Sequence, residues 1–269
     1  VAAMYPFVFD SIKDPGGEFT APTLLGIDFS GGVVLFNQFL YQTKKEFNRN
    51  NANMIILGTS GSGKSTILSI LAGLIDKTDG DIIINDNMRV GYMLQTDSLF
   101  PWRTILDNCL IGLEVNDLKN EENISYVISL LEKYGLGEFI DKYPDNLSGG
   151  MRQRVALIRT LALKPDILLL DEPMSALDYQ SRLSISDDIY KIIKNEKKTA
   201  IMVTHDIAEA VSMSDRVIVL TKRPGTIKSI YEINLNNRTT PTNNRKLKDF
   251  SKYYDVLWRD LDVHLWYRA

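Results

Sequence analysis

Eight residues, Gly58-Thr59-Ser60-Gly61-Ser62-Gly63-Lys64-Ser65, constrain the fold of this chain more than any other stretch. They follow a short apolar run, Met54-Ile55-Ile56-Leu57, and lead into Thr66-Ile67-Leu68-Ser69-Ile70-Leu71. The order is strand, glycine-rich loop, helix, which is the context a phosphate-binding loop requires. Glycine reaches positive φ without steric cost, so successive N–H groups can turn inward on an anion. The helix that starts there adds the partial positive charge of its N-terminus. In this pattern Lys64 reaches the β- and γ-phosphates and the Ser65 hydroxyl meets Mg²⁺. The chain is expected to bind a nucleoside triphosphate.

Composition narrows what else it can be. The 269 residues are 44% hydrophobic and 24% charged, ordinary for a globular protein and enough for one large domain or two packed lobes. A net charge of −3 gives no reason to expect nucleic acid as a partner through bulk electrostatics. The single cysteine, Cys109, excludes an internal disulfide and fits a reducing compartment. No apolar run approaches the ~18–20 residues of a transmembrane helix. The N-terminus has no basic region followed by an apolar core, so no secretory signal is expected. Work at a membrane would go through a partner.

The pattern along the chain alternates strands and helices. In residues 1–53, Leu24 to Asp28 and Val33 to Phe36 read as short strands around Gly31-Gly32, and Lys44 to Asn53 as a polar loop. After the glycine-rich loop, Ile82-Ile83-Ile84 and Val90 to Leu94 read as strands, the latter ending at Gln95. From Leu106 to about Phe139 the apolar spacing is helical, with a polar break at 116–123. A helix is expected over Arg152–Leu163. Ile167-Leu168-Leu169-Leu170 is a continuous apolar run, as in a parallel strand buried on both faces. A helix over Tyr179–Asn195, a strand over Thr199–Thr204, a helix over Ile207–Met213 and a strand over Arg216–Leu220 follow. The tail is a Thr/Asn-rich linker, 236–244, and an amphipathic helix near 247–266. This is an α/β pattern, a mostly parallel sheet flanked by helices.

Chemistry gathers at strand ends. Asp171 and Glu172 close the apolar strand, the edge at which ligands bind in open α/β sheets. Beside a phosphate-binding loop, Asp171 suits Mg²⁺, and Glu172 is placed to take a proton from the water that attacks the γ-phosphate. His205 ends the next strand, and Gln95 ends another, where it could meet Mg²⁺ or that water. Ser148-Gly149-Gly150 before a helix is a second anion site by the same physics. One nucleotide cannot use both sites of one chain unless they lie close; otherwise Ser148 serves a nucleotide held by a second copy.

In this order the pieces resemble the ATP-binding subunits of ABC transporters over about residues 54–235. They correspond to Walker A (Gly58–Ser65, with Thr66 following), the Q-loop (Gln95), the signature (Leu147-Ser148-Gly149-Gly150-Met151), Walker B (Ile167–Asp171, then Glu172), the D-loop (Ser175-Ala176-Leu177-Asp178) and the switch histidine (His205). The signature followed by Arg152-Gln153-Arg154 is highly specific; Met151 stands where Gln is commoner. Leu99-Phe100-Pro101-Trp102-Arg103-Thr104-Ile105 and Lys222-Arg223-Pro224-Gly225-Thr226-Ile227 look like the nitrate, sulfonate and taurine importer branch. The resemblance implies a P-loop ATPase core at 54–98 and 164–235, an inserted helical subdomain at 99–163 and a C-terminal linker and helix at 236–269. It further implies a head-to-tail homodimer or an ABC-type heterodimer. In it ATP and Mg²⁺ lie between one copy's Gly58–Thr66, Gln95, Asp171, Glu172 and His205 and the other's Ser148, Gly149, Gly150 and Asp178. A membrane permease and a solute-binding protein would complete an importer of a small anion, with this chain at the cytoplasmic face of the membrane.

Residues 1–53 depart from that family. Asn51-Ala52-Asn53 stands where Gly-Glu is usual, and Phe36, Phe39 and Tyr41 are candidates for an adenine-stacking aromatic, none of them in a recognisable context. Tyr5-Pro6-Phe7, Leu25-Gly26-Ile27-Asp28, Val34-Leu35-Phe36 and the run Asn51–Ser65 instead resemble conjugative type IV secretion ATPases. Either the chain is a hybrid joined within the shared P-loop or its ABC N-terminus is divergent. Three other functions follow from these features. A conjugation motor rests on residues 1–65 alone and is opposed by Ser148-Gly149-Gly150. A non-transport ABC ATPase is opposed by Pro101-Trp102. A pseudo-ATPase would need a broken site, and every position from Gly58 on is intact.

Overall fold

The computed structural model describes residues 53–261 except 83, 85–87 and 224, together with the strand backbone at 23–27 and 33–36. Of the candidate stacking aromatics, Phe39 and Tyr41 lie outside the described residues and only the backbone of Phe36 is described; most of the segment behind the hybrid reading also lies outside them. Within that segment, β1 (Thr23–Ile27) pairs antiparallel with β2 (Val33–Phe36), the pairing expected around Gly31-Gly32.

A six-stranded sheet carries the rest. It comprises β3 (Asn53–Leu57), β4 (Val90–Met93), β5 (Ile167–Asp171), β6 (Thr199–Thr204), β7 (Arg216–Leu220) and β8 (Ile227–Glu232). The spatial order is β4-β5-β6-β3-β7-β8, parallel from β4 to β7, with β8 antiparallel at the edge. Successive residues on these strands enter two separate cores. Ile55, Leu57, Leu168, Leu170, Ala200, Met202, Val217 and Val219 join one. Met54, Ile56, Ile167, Leu169, Ile201, Val203, Ile218 and Leu220 join the other. Side chains alternate across a strand, so an unbroken apolar run requires cover on both faces.

Helix α1 (Lys64–Leu71) covers one face through Leu68. The other face carries α2 (Ile105–Val115), α3 (Glu121–Lys133), α4 (Gly149–Leu161), α5 (Tyr179–Asn195) and α6 (Ile207–Met213). The polar break at 116–123 ends in a cap, where Asn120 accepts from the Asn123 N–H at 2.9 Å and starts α3. Helix α4 begins at Gly149, three residues ahead of the expected Arg152, because the Ser148 hydroxyl already accepts from the Met151 N–H. Ile82 and Ile84 lie in no regular element, and Ile83 is outside the described residues, so the strand expected there is not seen.

The expected linker is packed down. Arg238 Nη1 reaches Asp215 Oδ1 at 2.7 Å, and the fully buried Asn244 donates to the Ser212 carbonyl at 2.8 Å. A short helix α7 (Pro241–Asn244) interrupts the stretch, and α8 (Phe250–Asp260) follows. Cys109 is wholly buried, and burial pushes its thiol up to about 12. It is a core residue without thiolate chemistry.

Candidate nucleotide site

Four adjacent parallel strands deliver the expected residues to one edge. The carboxyl ends of β3, β4, β5 and β6 lead respectively to the loop 58–63, Gln95, Asp171-Glu172 and His205. Parallel strands share a polarity, so their ends must meet, and the jump from β3 to β4 across the sheet opens the crevice there.

The loop is shaped for an anion. Gly61 and Gly63 have φ of 81° and 86°, which a side chain would strain. A Cβ on Gly58 would lie 2.5 Å from Ser62 Oγ, so the turn closes only over a bare Cα. The Ser62 hydroxyl is buried and has no hydrogen-bond partner. An unpaired buried hydroxyl is costly, and a phosphate oxygen would satisfy it. Thr59, Ser60 and Thr66 complete the rim, with Ser60 exposed.

Lys64 and Glu172 meet at the centre. Lys64 Nζ lies 2.8 Å from Glu172 Oε1, with both side chains nearly buried. The other carboxylate oxygen faces His205 Nδ1 at 3.1 Å and Gln95 Nε2 at 3.5 Å, and Gln95 also reaches Ser175 Oγ at 3.4 Å. Burial acts to raise the Glu172 carboxyl, but the Lys64 ammonium and then His205 outweigh it and hold the group below its ordinary range. The Glu172 backbone has φ of 43°, a left-handed conformation that a non-glycine residue keeps only where its surroundings enforce it. Its N–H bonded to the Val203 carbonyl at 3.0 Å is part of that enforcement.

Asp171 is held differently. It accepts from Ser65 Oγ at 2.9 Å and from Tyr92 OH at 3.3 Å, and Tyr92 lies 3.5 Å from Ser69 Oγ. Burial raises its carboxyl despite these two donors, and the neighbouring Glu172 charge adds to the rise. Tyr92 and Ser69 were not singled out from the sequence. Tyr92 lies in an expected strand and Ser69 in the helix after the loop, and nothing in the sequence beside either marks it as part of the site.

Ser148, Gly149 and Gly150 border other residues than these. A Cβ on Gly149 would meet Leu177 Cδ2 at 3.0 Å, and one on Gly150 would meet Ile185 at 2.9 Å. Both glycines are therefore needed for α4 to pack against the start of α5. Asp178 caps α5 by accepting from the Ser181 N–H at 3.0 Å.

A family model described as "ABC transporter" matches residues 46–175. An uncharacterised ABC transporter ATP-binding protein of Bacillus subtilis is 44% identical over 213 residues, 77% of this chain and 82% of the relative. The chain belongs to the ABC transporter ATP-binding family. It is thus an ATPase of that family. The nitrate import ATP-binding protein of Synechocystis is 41% identical, covering 75% of this chain and 80% of its own. The aliphatic sulfonates import ATP-binding protein of Bacillus subtilis is 38% identical, covering 76% and 84%. Among solved structures, a dimeric bacterial ABC transporter cassette superposes with a TM-score of 0.57 at 30% identity, over 69% of this chain and 86% of that one. A cassette in a post-hydrolysis state with ADP and Pi gives 0.58 at 27%, over 80% and 97%.

Beneath the site of this ABC ATPase lies a buried carboxyl, Glu209, which pairs with Thr204 Oγ1 at 2.6 Å. Burial pushes it from an ordinary value near 4.5 up to about 7, against the Thr204 hydroxyl and Arg182. The folded chain therefore binds a proton that the unfolded chain has released. Glu209 contributes fully to stability below about pH 4.5, and the contribution is lost as pH rises through about 7. Glu209→Gln mimics the protonated group, so its melting temperature relative to the natural chain should climb between pH 5 and pH 8. The gain should be about 2 kcal/mol, or roughly 5 °C. Melting curves at the two pH values check this; an unchanged difference would show that the carboxyl does not titrate there.

The segment expected to face a permease is built around Asn108. Its side-chain oxygen accepts from the Phe100 N–H at 2.7 Å, and its amide donates to the Phe100, Arg103 and Thr104 carbonyls at 2.9–3.1 Å. These bonds turn the loop so that Phe100 and Trp102 stand outside with ring centroids 5.2 Å apart, Trp102 71% exposed. Asn108 lies within an apolar helical run, and its role was not legible there.

Proposed function

We propose that this chain is the ATP-hydrolysing subunit of an importer that carries a small anion such as nitrate, a sulfonate or taurine. The observation that carries the reading is the convergence of Lys64, Glu172, His205 and Gln95 within 2.8–3.5 Å at one sheet edge. The family membership and the import names of its relatives support it.

In this reading the loop N–H groups and Lys64 bind the β- and γ-phosphates. Ser65 and Asp171 form a hard-oxygen pair suited to Mg²⁺, with Gln95 as a further ligand. Mg²⁺ is usually held by one or two carboxylates together with substrate phosphates and water, and Ser65 with Asp171 would supply the protein's share of such a shell. Bound there, Mg²⁺ would supply charge neutralisation on the phosphates. Glu172, ionised, accepts the proton of the attacking water, and His205 steadies that carboxylate and reaches the γ-phosphate. Ser148, Gly149, Gly150 and Asp178 act on the nucleotide of a second copy, since their neighbours in their own chain are Leu177, Ile185 and Ser181.

The division of labour follows the expected domains: an ATPase core at 54–98 and 164–235, a helical subdomain at 99–163 and a C-terminal segment at 236–269. The exposed Phe100-Trp102 pair is the surface on which the permease would bear. No described helix is long and apolar enough to cross a membrane; in this reading the subunit reaches the cytoplasmic face through its permease. The test is ATP binding and hydrolysis by the purified full chain across protein concentration. Tight binding with a rate per chain that rises with concentration is expected. A folded chain that binds no ATP overturns the reading; hydrolysis stimulated by DNA would favour the conjugation motor instead.

A further inference from the structure

The geometry points to Arg182 as a positioning residue that couples the turn facing the second copy to His205. The inference rests on the ATPase reading above.

Arg182 stands in the first turn of α5 and reaches three ways. Its Nη2 donates to the Leu177 carbonyl at 3.3 Å, within the turn that runs from Glu172 to Asp178. Its Nη1 lies 3.6 Å from Asp206 Oδ2, and its Nε lies 4.0 Å from Glu209 Oε1. Asp206 follows His205 directly and caps α6, accepting from the Ala208 and Glu209 N–H groups at 2.7 and 3.1 Å. A shift of the guanidinium therefore pulls on the cap of α6 and the loop carrying His205.

The other end of the link leads to the second nucleotide. Leu177 packs where a Cβ on Gly149 would stand 3.0 Å away, so it abuts the start of the signature helix. The turn itself is tight, with the Ser175 N–H on the Glu172 carbonyl at 3.1 Å and the Leu177 N–H on the Met174 carbonyl at 3.2 Å. His205 closes the ring by meeting Glu172 Oε2 at 3.1 Å. Signature helix, turn, Arg182, His205 and Glu172 thus form one closed circuit. In the reading above, one side of it touches the partner's ATP and the other its own.

The circuit is strung loosely in this structure. The Arg182 Nε is buried with no hydrogen-bond partner, and its nearest acid is at the limit of an ion pair. A buried donor left unsatisfied is a cost that a movement of under about 1 Å toward Glu209 would relieve. Closure of two copies on ATP presses on Leu177, and that is the movement that would tighten the link.

The experiment is a double-mutant cycle in the full chain with Arg182→Met, which keeps the apolar stem, and His205→Ala. ATP affinity, kcat for hydrolysis and melting temperature are read for each variant. Arg182→Met should leave ATP affinity within about twofold and lower kcat by about tenfold or more. In the His205→Ala background the same substitution should change kcat by less than about twofold, because its route to the phosphate is already gone. Should Arg182→Met not fold, Arg182→Lys keeps the charge without the three-way fork and is read in the same cycle. Equal losses in both backgrounds, or no loss in kcat at all, overturn the inference and leave a merely structural arginine. A natural chain with no ATP turnover overturns the ATPase assignment itself, whereas His205→Ala at full rate removes the role of His205 and overturns this inference; both are seen before Arg182 is touched.

Discussion

Glu172→Gln should lower steady-state ATP hydrolysis by roughly 10²- to 10⁴-fold while leaving ATP bound. The carboxylate has what a general base needs. It is ionised at neutral pH because Lys64 and His205 overcome the pull of burial. It also sits at a strand end, fixed by three neighbours at 2.8–3.5 Å. The amide has the same size and can keep hydrogen bonds to Gln95 and His205, so the fold and the turn should survive. What it lacks is basicity, and the neighbouring carboxylate, Asp171, is engaged with Ser65 and Tyr92. Removing a negative charge beside the triphosphate also removes repulsion, so ATP should bind as tightly or more so. The ATP-loaded pair of chains should then accumulate. Single-turnover hydrolysis and size-exclusion chromatography with ATP measure both effects. A rate within about threefold of the natural chain would exclude Glu172 as the base.

How much of this was legible in advance depended on how local the physics is. The loop 58–65 could be read because its glycines answer to positive φ at Gly61 and Gly63, a constraint inside a few residues. The strand Ile167–Asp171 could be read because burial on both faces admits no polar residue until the strand ends. The helices over 179–195 and 207–213 were bounded correctly, since each opens on an Asp that accepts from its own first turn. What stayed hidden was pairing between distant segments. Nothing beside Tyr92 says that its hydroxyl will face Asp171. Asn108 and Arg182 each serve several carbonyls or carboxylates that only the folded chain brings near. Edge strand β8 was missed for a related reason: its burial pattern is mixed, and what makes it a strand is pairing with β7.

Lys64→Met should weaken ATP binding by about 10²-fold or more, since charge-assisted bonds to phosphate contribute about 1.5–3 kcal/mol each. The methionine keeps most of the apolar stem and leaves the loop glycines untouched. A second effect comes with it. Without Lys64 the nearly buried Glu172 carboxylate loses its closest cation, and burial, already the largest influence on it, is left opposed by His205. Its carboxyl should therefore rise. The variant should be less stable than the natural chain at neutral pH, by up to about 3 kcal/mol, and should recover as the pH falls and Glu172 is protonated. Loss of binding in the single variant could then come from a weakened fold rather than a lost phosphate contact. The double variant Lys64→Met with Glu172→Gln separates the two, because the uncharged glutamine needs no ammonium partner. Its melting temperature should return close to that of Glu172→Gln alone, while ATP affinity stays about 10²-fold down. Calorimetric titration with ATP, beside melting curves at pH 5 and pH 8, measures both. Near-natural ATP affinity in the stable double variant would take the phosphates away from Lys64 and leave it as the counter-ion of Glu172.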